Sequence, residues 1–268
     1  MRSTFLPCVS RLPEVGMWMK FFERWQSETD ELRVVFDKPH GVALKEMVLS
    51  TQAEYLLFCE MDGIIFKEGV VDQYFRLLEH GTYDVIGSPR MSCSPQIADI
   101  AKKNFNLDYS GEGDKGPHFW PCFFFVKKSL LLQTDLDFNN NAWNVGDVLL
   151  GETLTEKVAS DTMGWMSLQL RDLGAKVLEI PQYHCSPYDI DHYAQKTGIF
   201  NGKAPWIHIG SVSGDLTPPK SGTERLEMTR RLVWRDLCGN PPNTEFLSYT
   251  ISEEYEEMKK IYKELFKI

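Results

Sequence analysis

The chain lacks most of the features that would anchor it, cross-link it or let it cradle a phosphate through glycine. No apolar run approaches the roughly 20 residues needed to cross a bilayer as a helix. No charged start followed by an apolar stretch and a small-residue cleavage site marks a leader peptide. The six cysteines, Cys8, Cys59, Cys93, Cys122, Cys185 and Cys238, include no Cys-x-x-Cys pair. That argues against a structural zinc site and against a secreted disulfide framework. Cys59 and Cys122 lie inside apolar runs and are expected as buried thiols, and a reducing cytoplasm is the expected compartment. No Rossmann dinucleotide fingerprint or Walker loop links a strand to a helix, which disfavours a dinucleotide oxidoreductase and a P-loop ATPase. No Gly-x-Ser-x-Gly elbow is present, which disfavours an α/β hydrolase.

Positive charge is also short. The net charge is −9, which does not favour nonspecific binding to nucleic acid or to an anionic membrane. A diphosphate ligand would then need a metal ion or local basic groups to offset its charge.

What is present is an alternation of strand-like and helix-like segments, which predicts an α/β fold with a mainly parallel sheet flanked by helices. Strands are expected at 4–9, 32–36, 55–59, 83–86, 119–126, 175–180 and 206–209. Pro7 marks the first of these as an edge or early-ending strand. Helices are expected at 13–25, 43–51, 70–80 and 162–173, the third stopped by Gly81 and the last by Gly174. The stretch 91–116 has no clear period and reads as a mobile loop. Past Pro218 and Pro219 the pattern changes to two amphipathic helices, 223–237 and 252–266. A boundary is placed near Asp215, with a catalytic domain over 1–215 and a C-terminal helical extension over 216–268.

The most informative segment is Tyr55-Leu-Leu-Phe-Cys-Glu60-Met-Asp62-Gly63. An apolar run bounded by a turn signal reads as a buried parallel strand. In open α/β sheets, ligands bind beyond the carboxyl ends of strands. Glu60 and Asp62 stand at such an end, spaced to share one side of an extended chain. Two hard oxygen ligands there suit Mg²⁺ or Mn²⁺ holding a diphosphate.

This segment resembles the DXD motif of glycosyltransferases with the GT-A fold, in the variant form Glu-Met-Asp. A second resemblance lies in Ser160-Asp161-Thr162 through Leu170-Arg171 to Gly174, where an acidic residue precedes a helix and a glycine leads into a strand. The resemblance implies that Asp161 is the general base if the enzyme inverts configuration. Asp161 stands two positions further from Gly174 than that pattern expects, and an N-cap role is the alternative, compatible with the first. A third is Trp206-Ile-His208-Ile-Gly, where the resemblance implies a late histidine as an added metal ligand. A core histidine is the alternative there, and a nitrogen ligand would tilt the choice towards Mn²⁺.

The same resemblance implies a nucleotide-sugar donor, UDP-linked, whose base and ribose meet the ends of the first two strands at Ser10, Arg11 and Asp37. Glu60 is expected at the ribose or the metal, and Asp62 at the metal directly. Arg90, after Gly87-Ser-Pro, is placed near a phosphate or the acceptor. His118, Trp120 and His184 are assigned to the acceptor side, with aromatic faces for stacking on a sugar. The expected activity is metal-dependent hexosyl or pentosyl transfer to a glycan or glycolipid hydroxyl. The basic residues of the C-terminal helices leave a hydroxylated nucleic-acid base as a lesser option. The rivals are a sugar-phosphate nucleotidyltransferase and a non-catalytic carbohydrate- or partner-binding module.

Overall fold

The structure, a computed structural model, describes residues 1–8, 28–36, 38–60, 63–65, 69–111, 114–180, 182–184, 196–198 and 206–208. The expected helix at 13–25 and the C-terminal extension at 216–268 lie outside the described residues.

In chain order the elements are β1 (Arg2–Cys8), β2 (Glu31–Phe36), α1 (His40–Ser50), β3 (Tyr55–Phe58), β4 (Gly63–Ile65), α2 (Val70–Glu79) and β5 (Val85–Arg90). Then follow α3 (Pro95–Phe105), β6 (His118–Lys127), α4 (Lys128–Leu131), β7 (Asn141–Trp143), β8 (Val148–Leu149), β9 (Glu152–Thr153) and β10 (Val158–Ser160). The last are α5 (Gly164–Asp172), β11 (Val177–Glu179), β12 (Gln182–His184), β13 (Lys196–Gly198) and β14 (Trp206–His208).

Six strands form the main sheet in the order β11-β5-β6-β3-β1-β2. Strands β2, β1 and β3 pair parallel, as do β5 and β11. Strand β6 runs against both β3 and β5 and joins the two parallel groups. The result is a Rossmann-like α/β fold with a mainly parallel sheet. A second, antiparallel sheet has the order β12-β13-β14-β4.

The aromatic run of β6 is explained by burial on both faces. Phe124 points to one face, against Phe58 and Phe119. Phe123 and Phe125 point to the other, against Tyr74 of α2, and Phe125 also meets Phe75. A strand covered on both sides reads as a continuous apolar run, not as an alternation. Each fully buried phenylalanine contributes on the order of 1.5–3 kcal/mol.

Two expectations are corrected. Strand β1 is internal, not an edge, and of the two readings of Pro7 it is the early end that the pairing with β3 matches. Pairing with β3 spans only Arg2 to Phe5, and Pro7 pairs with β2 at Val35, so its missing N–H falls beyond the doubly paired part. The stretch 91–116 is not a plain loop, because α3 lies within it, with Pro95 in its first turn and a left-handed C-cap at Asn106. Its apolar residues Ile97, Ile100 and Ala101 pack with Leu168 of α5. Nearby, Gly111, Gly113 and Gly116 have the spacing of a dinucleotide fingerprint, but they precede β6 instead of opening a helix.

Candidate functional site

Two groups of polar residues stand beyond the carboxyl ends of β3 and β5. Those strands are separated by β6, so the two ends lie two strand spacings apart, about 10 Å.

The first group is built on Glu60, two residues past the end of β3. Cys59, just before it, is buried and donates its N–H to the Phe5 carbonyl at 2.9 Å, which carries the β3 ladder up to the acidic motif. His40, the first residue of α1, faces Glu60, with Nδ1 3.8 Å from Oε1. The His40 Nε2 is buried without a hydrogen-bond partner among the described residues. Nothing in the sequence around His40 marks it beyond a helix start after Pro39, so sequence reasoning missed it.

The second sheet adds a backbone relationship. Strand β14 pairs antiparallel with β4, and His208 is the register partner of Gly63, the residue that follows Asp62. Asp62 itself, with Ser10, Arg11 and Asp37, lies outside the described residues. Strand β12 places His184 opposite Lys196 on β13. Among the described residues no group of three His, Cys, Asp or Glu is gathered tightly enough to hold a metal ion.

The second group brings together Arg90, His118, Trp120 and Asp161. Arg90 ends β5, and His118, which opens β6, is its register partner. The β5–β6 register shifts between Gly87 and Pro89, and Trp120 falls in that irregular stretch. The Arg90 guanidinium lies over the Trp120 ring at 4.6 Å. Arg90 Nη1 is 3.6 Å from Asp161 Oδ2, and the two side chains are 34% and 42% exposed. That separation is longer than a hydrogen bond and, between half-exposed groups, contributes little to stability. Trp120 is only 8% exposed with Arg90 across it, so the geometry gives its ring to the guanidinium instead of to a stacked sugar.

His118 is fully buried and forms the floor of this group. Its Nδ1 is 3.2 Å from the Ser92 hydroxyl, while its Nε2 has no hydrogen-bond partner among the described residues. Burial, then the positive charges of Arg171 and Arg90, push its pKa down to about 4, so the ring is neutral at physiological pH. The floor is tied to Asp161 through Ser92, whose carbonyl accepts the Asp161 N–H at 3.0 Å. Two glycines make the close packing feasible. A Cβ at Gly116 would stand 2.2 Å from the Arg90 carbonyl oxygen, and one at Gly164 would stand 2.6 Å from Ser160 Oγ and 2.9 Å from His118 Cε1.

Asp161 is not the cap of α5. The helix begins at Gly164, and its N-cap is Met163, held in the left-handed region at φ 69°. The two residues in excess of the expected spacing are this turn, closed by the Gly164 N–H on the Asp161 carbonyl at 2.9 Å. A buried non-glycine residue in that region carries strain of order 1–3 kcal/mol, and such strain collects at functional sites. The turn leaves the Asp161 carboxylate outside the helix. Its Oδ1 accepts the Thr162 N–H at 2.8 Å, and Oδ2 faces Arg90.

Below this group Arg171 of α5 fixes the approach to β6. Its Nε donates to the Pro117 carbonyl at 2.9 Å, its Nη2 meets Glu179 Oε1 at 2.6 Å, and its guanidinium lies 4.5 Å from the Phe119 ring centre.

No family model matches the chain. No curated protein matches it either. Among solved structures it is similar to A197 from STIV, at 11% identity and TM-score 0.36, over 69% of this chain and 86% of that one. It is similar to residues 1–349 of S. aureus TarS, at 12% identity and TM-score 0.37, over 92% of this chain and 70% of that one. It is also similar to the bifunctional IspDF of Campylobacter jejuni, at 10% identity and TM-score 0.34, over 67% of this chain and 49% of that one. Likeness at these values carries no functional weight, and the case for function rests on the residues. No helix among the described residues is long and apolar enough to cross a membrane.

Proposed function

We propose that the chain is a metal-dependent glycosyltransferase of GT-A type, moving a sugar from a nucleotide-sugar donor to an acceptor hydroxyl. The observation that carries this reading is the β4–β14 register. It returns His208, late in the chain, to the residue beside Asp62, at the end of the strand that delivers Glu60. Two carboxylates and an imidazole are a donor set suited to Mn²⁺, or to Mg²⁺ without the histidine. In this reading Glu60, Asp62 and His208 would hold the cation. The cation would supply charge neutralisation for a diphosphate leaving group. His40 would orient Glu60 from outside that set.

Asp161 supports the reading from the acceptor side. In an inverting transfer its carboxylate takes the proton of the acceptor hydroxyl while that oxygen bonds to the anomeric carbon of the donor sugar. The bond from the anomeric carbon to the diphosphate oxygen breaks, and its electron pair leaves with the nucleoside diphosphate. The half-exposed Oδ2 is an oxygen that a substrate hydroxyl can reach.

The test is Mn²⁺-dependent hydrolysis across a panel of UDP- and GDP-sugars, with Glu60→Ala and Asp62→Ala compared to the parent chain. Loss of turnover in Asp62→Ala with unchanged thermal unfolding supports the reading. Unchanged turnover in that variant sinks it, and pyrophosphate release from a nucleoside triphosphate would favour a nucleotidyltransferase instead.

A further inference from the structure

We infer that the acceptor taken at the Arg90–Asp161 pair presents two neighbouring hydroxyls, as a sugar ring or an acyclic polyol does, one donating to Asp161 Oδ2 and the other accepting from Arg90. This rests on the transferase reading above and names the chemistry of its acceptor.

The pair is a donor and an acceptor held side by side with little else to bind. Asp161 Oδ1 is committed to the Thr162 N–H, and among the described residues Oδ2 faces Arg90 Nη1, beyond hydrogen-bond length. Arg90 has five N–H donors, and among the described residues none of them makes a hydrogen bond. The guanidinium is nonetheless held in place. Trp120 supports its face, and Gly116 packs against its backbone. A fixed arginine with unused donors is preorganised for an oxygen that has yet to arrive.

The choice of occupant follows from the charges. A phosphate or carboxylate on Arg90 would be forced beside the Asp161 carboxylate, which repels it. A lone alcohol would satisfy Asp161 and leave the positioned guanidinium with no substrate oxygen to receive its donors. Vicinal hydroxyls satisfy both groups at once, because adjacent gauche hydroxyl oxygens lie about one hydrogen-bond length apart. The Nη1–Oδ2 gap of 3.6 Å is wide enough for that pair to sit across its mouth.

The experiment uses methyl hexopyranosides, their monodeoxy analogues, mannitol and a simple primary alcohol as acceptors, with the donor found above. The parent chain should show an acceptor KM about tenfold lower for the diols than for the analogues lacking one hydroxyl, the weight of one hydrogen bond to a charged group. Arg90→Met should raise the diol KM to the level of the deoxy compounds. Arg90→Lys, which keeps one charge and loses the fork, should fall between them. Near-UV circular dichroism checks that both variants keep the native fold. Equal KM values for diol and deoxy acceptors in the parent chain overturn the inference, as does a diol preference that survives in folded Arg90→Met. If no donor is turned over at all, the transferase reading fails, and saturation-transfer NMR with the same glycosides then decides this point separately. Binding of the diols that needs Arg90 upholds the diol site, and binding indifferent to Arg90, or none, overturns it.

Discussion

Gly116 packs against the backbone of Arg90 so closely that a Cβ there would stand 2.2 Å from the Arg90 carbonyl oxygen and 2.6 Å from the Met91 nitrogen. Both contacts are with backbone, which cannot swing aside as a side chain can. Gly116→Ala should therefore move the end of β5 and destabilise the fold by about 1–3 kcal/mol. Urea unfolding of the variant measures this, and a loss below half a kcal/mol would mean that the segment before β6 yields freely.

His118 makes stability depend on acid. Its folded pKa of about 4 lies below its ordinary value of 6.5, so between these two the unfolded chain binds the proton and the folded chain does not. Stability is then fully present above pH 6.5 and declines as the pH falls towards 4, by about 3 kcal/mol in total. His118→Gln should flatten the profile across this window while keeping a polar partner for Ser92. A slope between pH 6.5 and 4 that is the same in both proteins would show that another group controls it.

Ser160 is predicted to be dispensable for stability. Its hydroxyl is buried with no hydrogen-bond partner among the described residues, beside Gly164 and His118. Removing an unsatisfied buried group is neutral or stabilising, so Ser160→Ala should change unfolding free energy by roughly 0 to +1 kcal/mol. Gly164→Ala, by contrast, would press a methyl group into the Ser160 side chain and should cost about 1–3 kcal/mol. Differential denaturation of the two variants separates them, and a destabilised Ser160→Ala would reveal a hydroxyl partner such as a buried water.

Arg171 is mostly buried and satisfies two separate groups, the Pro117 carbonyl and Glu179. Arg171→Met should cost about 2–4 kcal/mol, because it strands both partners. Arg171→Lys should recover only part of this, since one ammonium lacks the planar fork that reaches both and covers Phe119. Equal stability of the lysine variant and the parent chain would show that charge alone matters here.

The alternation of elements was legible because each segment has a period that matches its environment. Strand β3 could be read from Tyr55 to Cys59, and α2 from the spacing of Val71, Tyr74, Phe75 and Leu78, all buried as the pattern requires. Helix α3 was missed because Ser94-Pro95 and the polar residues Gln96, Asp99, Lys102 and Lys103 hide a short stripe of Ile97, Ala98, Ile100 and Ala101. Asp161 was found from its place before Gly174, but its turn was not. Nothing in the sequence predicts that Met163, a non-glycine residue, takes the left-handed conformation that sets the carboxylate apart from the helix. Arg90 and Trp120 were named separately, and their stacking depends on a register shift in β5–β6 that no periodicity reports. His40 was invisible because its pairing with Glu60 joins two segments with no local pattern in common.

The reversed direction of β6 also bears on how the chain is made. Strands β1 to β3 can pair as soon as residue 58 is available, but the free side of β3, with Leu56, Leu57 and Phe58, stays open until residues 118–127 are synthesised. An uncovered apolar edge is a template for pairing with another chain. The nascent protein thus carries this open apolar edge through the synthesis of some sixty further residues (58 to 118). Truncations that stop before β6 should precipitate, and variants that weaken β6 should be recognised in the cell by lost solubility.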